Sequence, residues 1–330
     1  MSNLSTSYMG IELANPVVVA SSTLSANVDT IRSLEEAGAG AVVVRSLFEE
    51  QIHFEVAQME DALAVEAEAH AEALSYLPML EHAGAREHLM WVEKTRDSVK
   101  VPLIGSVNAA SSGRWVDYAK QLTETGIDAL ELNVYAVPSD MAATAADVEQ
   151  RLYETFEAVR EVVDIPIAVK LSPFYSSVGN VVSELQARGA AAVVLFNRFL
   201  QPDIDIDAEK PLRNVSSSRQ DDMRLPLRWI ALLYGRVDLD LVANTGVQQG
   251  ADVVKCILAG AGAVQVAGAL YAHGPGHIAT MLEDLTRWME AKGYTSLDDF
   301  RGKVSQKDAG DQRFNFERAQ YVGFILSQQA

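Results

Sequence analysis

The chain has 330 residues, of which 48% are hydrophobic and 22% are charged, and its formal net charge at pH 7 is -18. This composition is typical of a globular protein with ample apolar material for a large core. The strong negative charge disfavours nucleic acids and anionic membrane surfaces as partners. The single cysteine, Cys256, excludes internal disulfides, Cys-ligated iron–sulfur clusters and Cys₂-type zinc sites. Because the N-terminus lacks a basic segment and the apolar run Pro16–Ala20 is too short to span a bilayer, we expect a cytoplasmic protein.

Short apolar runs rich in β-branched residues alternate with longer amphipathic stretches along the chain. Nearly every position within these runs is apolar, as in parallel strands that are buried on both faces. Several amphipathic stretches end in glycine just before the next run, which is the usual end of a helix in an αβ unit. The predicted strands are Pro16–Ala20, Gly40–Arg45, Pro102–Val107, Asp128–Val134, Ile165–Leu171, Ala191–Asn197, Asp240–Asn244 and Ala263–Gly268.

Eight such units without a break in composition predict an α/β fold, a single (β/α)₈ TIM barrel that comprises residues 1–330 as one domain. A doubly wound open sheet is the alternative, but it usually has fewer strands and a dinucleotide-type first turn. Before the first strand, TSYMGIEL predicts a β-hairpin that turns at Met9 and Gly10 and plugs the bottom of the barrel. Long insertions follow strands 2 and 6, at Ser46–Lys100 and Arg198–Arg224, where they are candidate covers of the binding face. Surface decoration is the other interpretation of the first insertion.

Residues at the C-terminal ends of barrel strands face the ligand. In this chain they are small, polar or cationic, and almost none is a carboxylate. Such a set suits a planar heterocycle with an anionic tail and does not suit a metal ion. The residues are Ser21, Ser22, Arg45, Asn108, Asn133, Lys170, Asn197, Asn244, Thr245, Gly246, Ala267 and Gly268.

The segments after strands seven and eight, Asn244–Gly250 and Ala267–Leu270, predict a phosphate site. Barrels commonly hold phosphate at this pair of strands, on backbone N–H groups and a short helix. Gly246 and Gly268 would let the backbone approach phosphate oxygens closely. Ordinary turn glycines would explain either segment alone, but not their occurrence at both strands.

Lys170 ends an otherwise apolar strand, so its ammonium is expected at the mouth of the barrel. A buried lysine is costly unless it meets an anion. One interpretation is a structural pair with a carboxylate. The other is a cation beside a flavin, where negative charge develops on reduction. Arg45 ends strand two in the same way and is a second cation for the same pole.

The strings NPVVVASS, LELNV, VKLSP, LFNRF, NTGV and AGAL resemble the dihydroorotate dehydrogenase family of flavin enzymes along nearly the whole chain. Longer motifs, among them KLSPFYSS (Lys170–Ser177) and LFNRFLQPDIDID (Leu195–Asp207), are similar to a divergent branch of dihydroorotate dehydrogenase-like proteins. The resemblance implies noncovalent FMN. It assigns the isoalloxazine to the backbone of Ala20 and Ser21, the ring and substrate to Asn108, Asn133, Lys170 and Asn197, and the phosphate to Thr245, Gly246, Ala267 and Gly268.

Three departures from the family pattern bear on activity. Arg45 replaces the family's flavin-facing lysine after strand two, and RLPLRW (Arg224–Trp229) replaces a glycine-rich approach to the seventh helix. Ala136 stands where the family has its Cys or Ser base. Alanine cannot take a proton, which leaves Tyr135 and Ser139 as weak candidates for the base.

These residues predict an FMN-dependent oxidoreductase that passes a hydride between flavin N5 and a small anionic or cyclic substrate. Dihydroorotate, and with it a role in pyrimidine biosynthesis, is doubtful because of Ala136. The alternatives are a non-catalytic or sensing flavin barrel, and a phosphate-binding barrel lyase that uses Lys170 as a Schiff-base amine. As partners we expect the small-molecule substrate, with a soluble redox partner and a second copy of the chain in a homodimer as further candidates. We expect no metal.

Overall fold

The computed structural model describes residues 2–48, 83–108, 114–134, 137–198, 202–212 and 218–307, with residues 316, 317, 320, 321 and 325. Within these ranges eight parallel strands alternate with helices, as predicted. The barrel strands are β3 (Val17–Val19), β4 (Ala41–Val43), β6 (Leu103–Asn108), β7 (Ala129–Asn133), β8 (Ile167–Leu171), β9 (Ala192–Leu195), β12 (Asp240–Ala243) and β13 (Ala263–Val266). Each lies inside or within one residue of its predicted run.

Further strands lie outside the barrel, and amphipathic helices surround it. The remaining strands are β1 (Thr6–Tyr8), β2 (Ile11–Leu13), β5 (Leu47–Phe48), β10 (Asp203–Asp205) and β11 (Lys210–Leu212). The helices are α1 (Val28–Glu36), α2 (Ala83–Ser98), α3 (Arg114–Glu124), α4 (Ala145–Arg160), α5 (Val178–Ala187), α6 (Arg224–Leu233), α7 (Gly250–Ala259), α8 (Gly268–His273) and α9 (His277–Lys292).

The sheet closes on itself, with the strands in chain order around the barrel. Each barrel strand pairs in parallel with its neighbours, and the ring closes where β13 pairs with β3 and β4 pairs with β6. The short strand β5 pairs in parallel with the C-terminal end of β6. This closed ring is the (β/α)₈ barrel, and it excludes the open doubly wound sheet.

Side chains alternate between the lumen and the helical layer, because successive residues of a strand point to opposite faces. In β7, Leu130 and Leu132 belong to the large outer core, whereas Ala129 belongs to a separate inner cluster. Alanine recurs in that inner cluster on several strands, which leaves room at the bottom of the lumen. The inner alanines are Ala41, Ala129, Ala168, Ala192 and Ala263.

The N-terminal hairpin fills that room. Strands β1 and β2 are antiparallel, and Met9 and Gly10 form a two-residue turn with φ of 55° and 76°. Tyr8 and Met9 pack among the inner alanines, and the Met9 N–H donates to Asp240 Oδ2 at 2.6 Å. The predicted hairpin and its turn are therefore confirmed, and it plugs the bottom of the barrel.

The two long connections are described in part. After strand two the described chain resumes with α2, and residues 49–82, the greater part of the predicted insertion, lie outside the described residues. After strand six, β10 and β11 form an antiparallel hairpin and Gln220–Met223 forms a 3₁₀ turn before α6. In the described part of the chain, every helix is too short or too polar to cross a bilayer.

Tyr8 provides a test of the plug. Its side chain is fully buried, and its hydroxyl has no hydrogen-bond partner among the described residues. Burial and the nearby carboxylates of Glu131 and Asp240 raise its pKa. We expect Tyr8→Ala to lower the free energy of unfolding by about 3–5 kcal/mol, because it leaves a cavity. Tyr8→Phe should leave stability equal or higher, because it removes a buried polar group without a partner. Urea denaturation measures both, and a large loss in Tyr8→Phe would show that the hydroxyl is bound.

Candidate functional site

A cavity of about 510 Å³ opens at the C-terminal ends of the strands. Ligand pockets of small molecules commonly have this size. Two of its described lining residues, Lys170 and Arg198, are cationic, and none is acidic. In a chain of net charge -18, this lining favours an anionic ligand.

The cavity brings together most of the residues that the sequence predicts for the cofactor. Its lining includes Ala20, Ser21, Lys170, Asn197, Thr245, Gly246, Ala267 and Gly268. Arg45, Asn108 and Asn133 are not among the lining residues; they lie at or just past the ends of β4, β6 and β7. Ser139 is exposed, and Tyr135 and Ala136 lie outside the described residues.

The loop after β12 has an unusual backbone. Thr245 and Gly246 both have positive φ, of 77° and 84°. This conformation is strained for a β-branched residue such as threonine. The Thr245 hydroxyl and the Asn244 amide both donate to the carbonyl of Phe196, at 3.0 and 2.7 Å, which ties this loop to the end of β9.

Ser218 lines the cavity, and the sequence prediction missed it. Gln248 Nε2 donates to its carbonyl at 2.9 Å. A Cβ added to Gly268 would lie 3.0 Å from the Ser218 hydroxyl, and one added to Gly246 would lie 2.4 Å from the Met223 nitrogen. The chain after β9 therefore packs closely against both glycines, and a side chain at either position would be crowded.

The N-terminus of α7 is already capped by the protein. Asp252, fully buried, accepts hydrogen bonds from the backbone of Gln248 and Gln249, at 3.1 and 3.3 Å. It also accepts from Gln220 Nε2 at 2.7 Å and from Lys255 Nζ at 3.0 Å. An anion in the cavity would therefore depend on the loops after β12 and β13 and not on this helix end.

Lys170 is 6% exposed, and its ammonium has two partners inside the barrel. Nζ lies 3.0 Å from Gln265 Oε1 and 3.4 Å from Glu131 Oε1. Gln265 Nε2 in turn donates to the other oxygen of Glu131. Lys170 therefore pairs with a carboxylate, as the structural interpretation expects, and it also lines the cavity. The sequence analysis did not identify Glu131 or Gln265.

A chain of hydrogen-bonded side chains runs from β7 across β6 and β4 to the end of β3. The sequence analysis did not predict its central members, Ser106 and Ser46. Asn133 Nδ2 donates to Ser106 Oγ at 3.0 Å, and the hydroxyls of Ser106 and Ser46 are 2.5 Å apart. Ser46 and Ser21 hydroxyls are 3.1 Å apart, and the Ser46 N–H donates to Ser21 Oγ at 3.0 Å. This chain fixes Asn133 relative to Ser21 at the cavity edge.

His88 fixes the backbone at Arg45. Its Nε2 lies 2.7 Å from the Arg45 carbonyl and its Nδ1 lies 2.8 Å from the Tyr118 hydroxyl. The carbonyl can only accept, so Nε2 carries the hydrogen, and Nδ1 of the neutral ring accepts from Tyr118. Burial is the main cause that lowers the pKa of His88, which favours this neutral state.

A second cavity, of about 280 Å³, lies beyond the ends of β7 and β8. Its lining is largely apolar and comes from both sides of the loop that carries Ala136. The lining residues are Val134, Val137, Pro138, Val148, Arg151, Leu152, Ser172, Phe174 and Tyr175.

Gly246 gives a test of the cavity wall. Gly246→Ala should lower the free energy of unfolding, because the left-handed backbone costs alanine about 1–2 kcal/mol and overpacking against Met223 adds about 1–3 kcal/mol. The matched control is Gly179→Ala in α5, where a Cβ meets nothing within 4 Å. The control should gain about 0.4–1 kcal/mol. Urea denaturation compares the two, and equal stability of both variants would contradict the close packing at Gly246.

Comparison with known proteins places the chain in a family. The model of the dihydroorotate dehydrogenase family matches residues 66–289. The catalytic subunit of dihydroorotate dehydrogenase B (NAD(+)) from Methanothermobacter thermautotrophicus is 31% identical over 308 residues, which are 91% of this chain and 97% of the relative. A putative dihydroorotate dehydrogenase A (fumarate) from Aeropyrum pernix is 29% identical, over 91% of this chain and 96% of the relative. The resemblance predicted from the motifs is therefore confirmed, and the chain belongs to the dihydroorotate dehydrogenase family of oxidoreductases.

Proposed function

We propose that the protein is an FMN-dependent oxidoreductase that exchanges a hydride with a small anionic or cyclic substrate. The observation that carries this proposal is the cavity at the C-terminal ends of the strands. Two of its described lining residues are cationic and none of them is acidic, and the backbone is closely packed at Gly246 and Gly268. Family membership supports the class of reaction.

The cavity residues fit the chemical parts of FMN. Small residues at Thr245–Gly246 and Ala267–Gly268, with the Ser218 hydroxyl, would hold the phosphate, and Ala20 and Ser21 would offer backbone to the ring. Bound FMN would supply the position, N5, that exchanges a hydride with a substrate carbon. FAD is disfavoured because the sequence has no dinucleotide fingerprint.

Lys170 is suited to stabilise negative charge in the cavity. An ammonium has three donors. Among the described residues, Gln265 and Glu131 accept from two of them, and the third would serve a cavity ligand. The carboxylate of Glu131 beside it favours an electrostatic role over the Schiff-base role of the lyase alternative, which needs an uncharged amine.

Asn108, Asn133 and Arg45 would bind the substrate on the side of β4, β6 and β7. The hydroxyl chain from Ser21 holds Asn133 in place, and the His88 contact holds the backbone of Arg45. Relatives are named for NAD(+) and for fumarate as acceptors. A soluble redox partner or a small acceptor would accordingly reoxidise this protein.

The first test is the cofactor itself. We expect the purified protein to be yellow and to release about one FMN per chain on denaturation, because the cavity pairs a phosphate-type cradle with an inward cation. Absorption spectroscopy and chromatography of the released flavin measure the ratio, with FAD as the comparison ligand. A colourless protein that also fails to bind added FMN would refute the proposal.

The second test concerns dihydroorotate. If Ala136 occupies the position of the base, reduction of the bound flavin by dihydroorotate should be slower than in an enzyme with a Cys or Ser base by about 10²–10⁴-fold, the usual contribution of general-base catalysis. Anaerobic stopped-flow mixing measures the bleaching of the flavin.

A relative that carries the Cys or Ser base is the positive control. Rapid bleaching in the unmodified protein would show that another group, such as Tyr135, Ser139 or a bound water, takes the proton. The loop around Ala136 also differs from the family pattern, so Ala136→Ser alone is not expected to restore full activity.

A further inference from the structure

Glu131 is a buried carboxylate to which the proposed function assigns no role. It is fully buried in the lumen, on β7, and reaches Lys170 on the adjacent β8 and Gln265 on β13. Lys170 and Gln265 also line the cavity, whereas Glu131 lies beneath it. The three residues therefore form a cluster that joins three strands across the barrel, with its cationic end toward the ligand.

The amide of Gln265 gives this cluster a direction. Its oxygen faces the ammonium of Lys170, and its nitrogen faces the carboxylate of Glu131. The reverse orientation would set two donors and two acceptors against each other, so the charges on either side select one rotamer. Gln265 thereby links the carboxylate to the cation.

The contact between the two charges is less close than the contact of each with Gln265. Nζ of Lys170 lies 3.4 Å from Glu131 Oε1 but 3.0 Å from Gln265 Oε1. Charge-assisted hydrogen bonds between N⁺–H and O⁻ are usually about 2.7–2.9 Å long. If residue 131 became a glutamine, its oxygen would remain an acceptor for Lys170, and Lys170 would lose the countercharge. The new amide nitrogen would face Nε2 of Gln265, so the hydrogen bond between residues 131 and 265 would be lost as well.

We propose that Glu131 is a positioning residue that compensates the charge of Lys170 and thereby sets how strongly the cavity prefers the reduced, negatively charged form of its ligand over the oxidised form. With Glu131 in place, the lysine serves two anions when the ligand is reduced. This inference rests on the proposed function for its ligand, but the charge compensation itself is a property of the protein without flavin.

The first experiment uses the flavin-free protein. Lys170→Met should lower the midpoint of thermal unfolding, because it leaves the carboxylate of Glu131 buried without a cation. The double variant Lys170→Met/Glu131→Gln removes both charges and should recover at least half of that loss. A double variant no more stable than Lys170→Met would overturn the compensation. Because no flavin is present, this result does not depend on the proposed function.

The second experiment measures the midpoint potential of bound FMN. Glu131→Gln should make the reduced form bind at least tenfold more tightly relative to the oxidised form, which is a positive shift of about 30 mV for a two-electron couple. The control Glu131→Asp keeps the charge and should stay close to the wild type. An unchanged potential in Glu131→Gln would show a merely structural role, and a negative shift would show that Lys170 needs Glu131 to remain charged; either result overturns the proposal. If wild-type protein binds no FMN, the proposed function fails and the thermal experiment alone decides on the compensation.

Discussion

The lumen of an eight-stranded barrel is only wide enough for its own side chains, so a charge that points inward must find its partner there. In this protein that requirement falls on Lys170. Its partners come from β7 and from β13, and both are buried. The position of the cation at the cavity therefore depends on the closure of the whole sheet, because its two partners lie on other strands.

The lumen is divided into layers with different composition. At the bottom, the inner alanines make space that Tyr8 and Met9 of the hairpin fill. The cluster of Glu131, Lys170 and Gln265 lies above them, and the cavity lies above the cluster. Because the hairpin supplies bulk at the bottom, five of the inward positions there carry only alanine. The strands can place polar residues higher up, at the side where a ligand binds.

Sequence reasoning predicted the eight strands well, because parallel strands are apolar on both faces. It predicted the hairpin because Met9–Gly10 places a glycine between two short strand-like segments, which is typical of a tight turn. It also predicted the position of Lys170 at the mouth of the barrel, because a lysine at the end of an apolar strand is unusual. It missed Glu131 and Gln265, because a single polar residue in LELNV or AVQVA gains meaning only from partners 39 or 95 residues away. The alternation of side chains in β7 could have revealed Glu131. Glu131 is two residues before Asn133, so both side chains point to the same face of the strand, which is the face of the predicted site. Ser218 could not be predicted, because no periodic pattern constrains the connection that carries it.

The chain after β9 shares a wall with the cavity. Gln220 and Gln248 bind it to the loop and helix that follow β12, and Met223 and Ser218 occupy the space beside Gly246 and Gly268. A ligand that contacts this wall and the docking of residues 218–223 are then thermodynamically coupled. By linkage, the free energy that the docked segment contributes to ligand binding equals the free energy by which a bound ligand stabilises the docking of the segment. Substitutions at Gln220 or Asp252, which lie behind the cavity wall, would therefore change ligand affinity without touching the ligand.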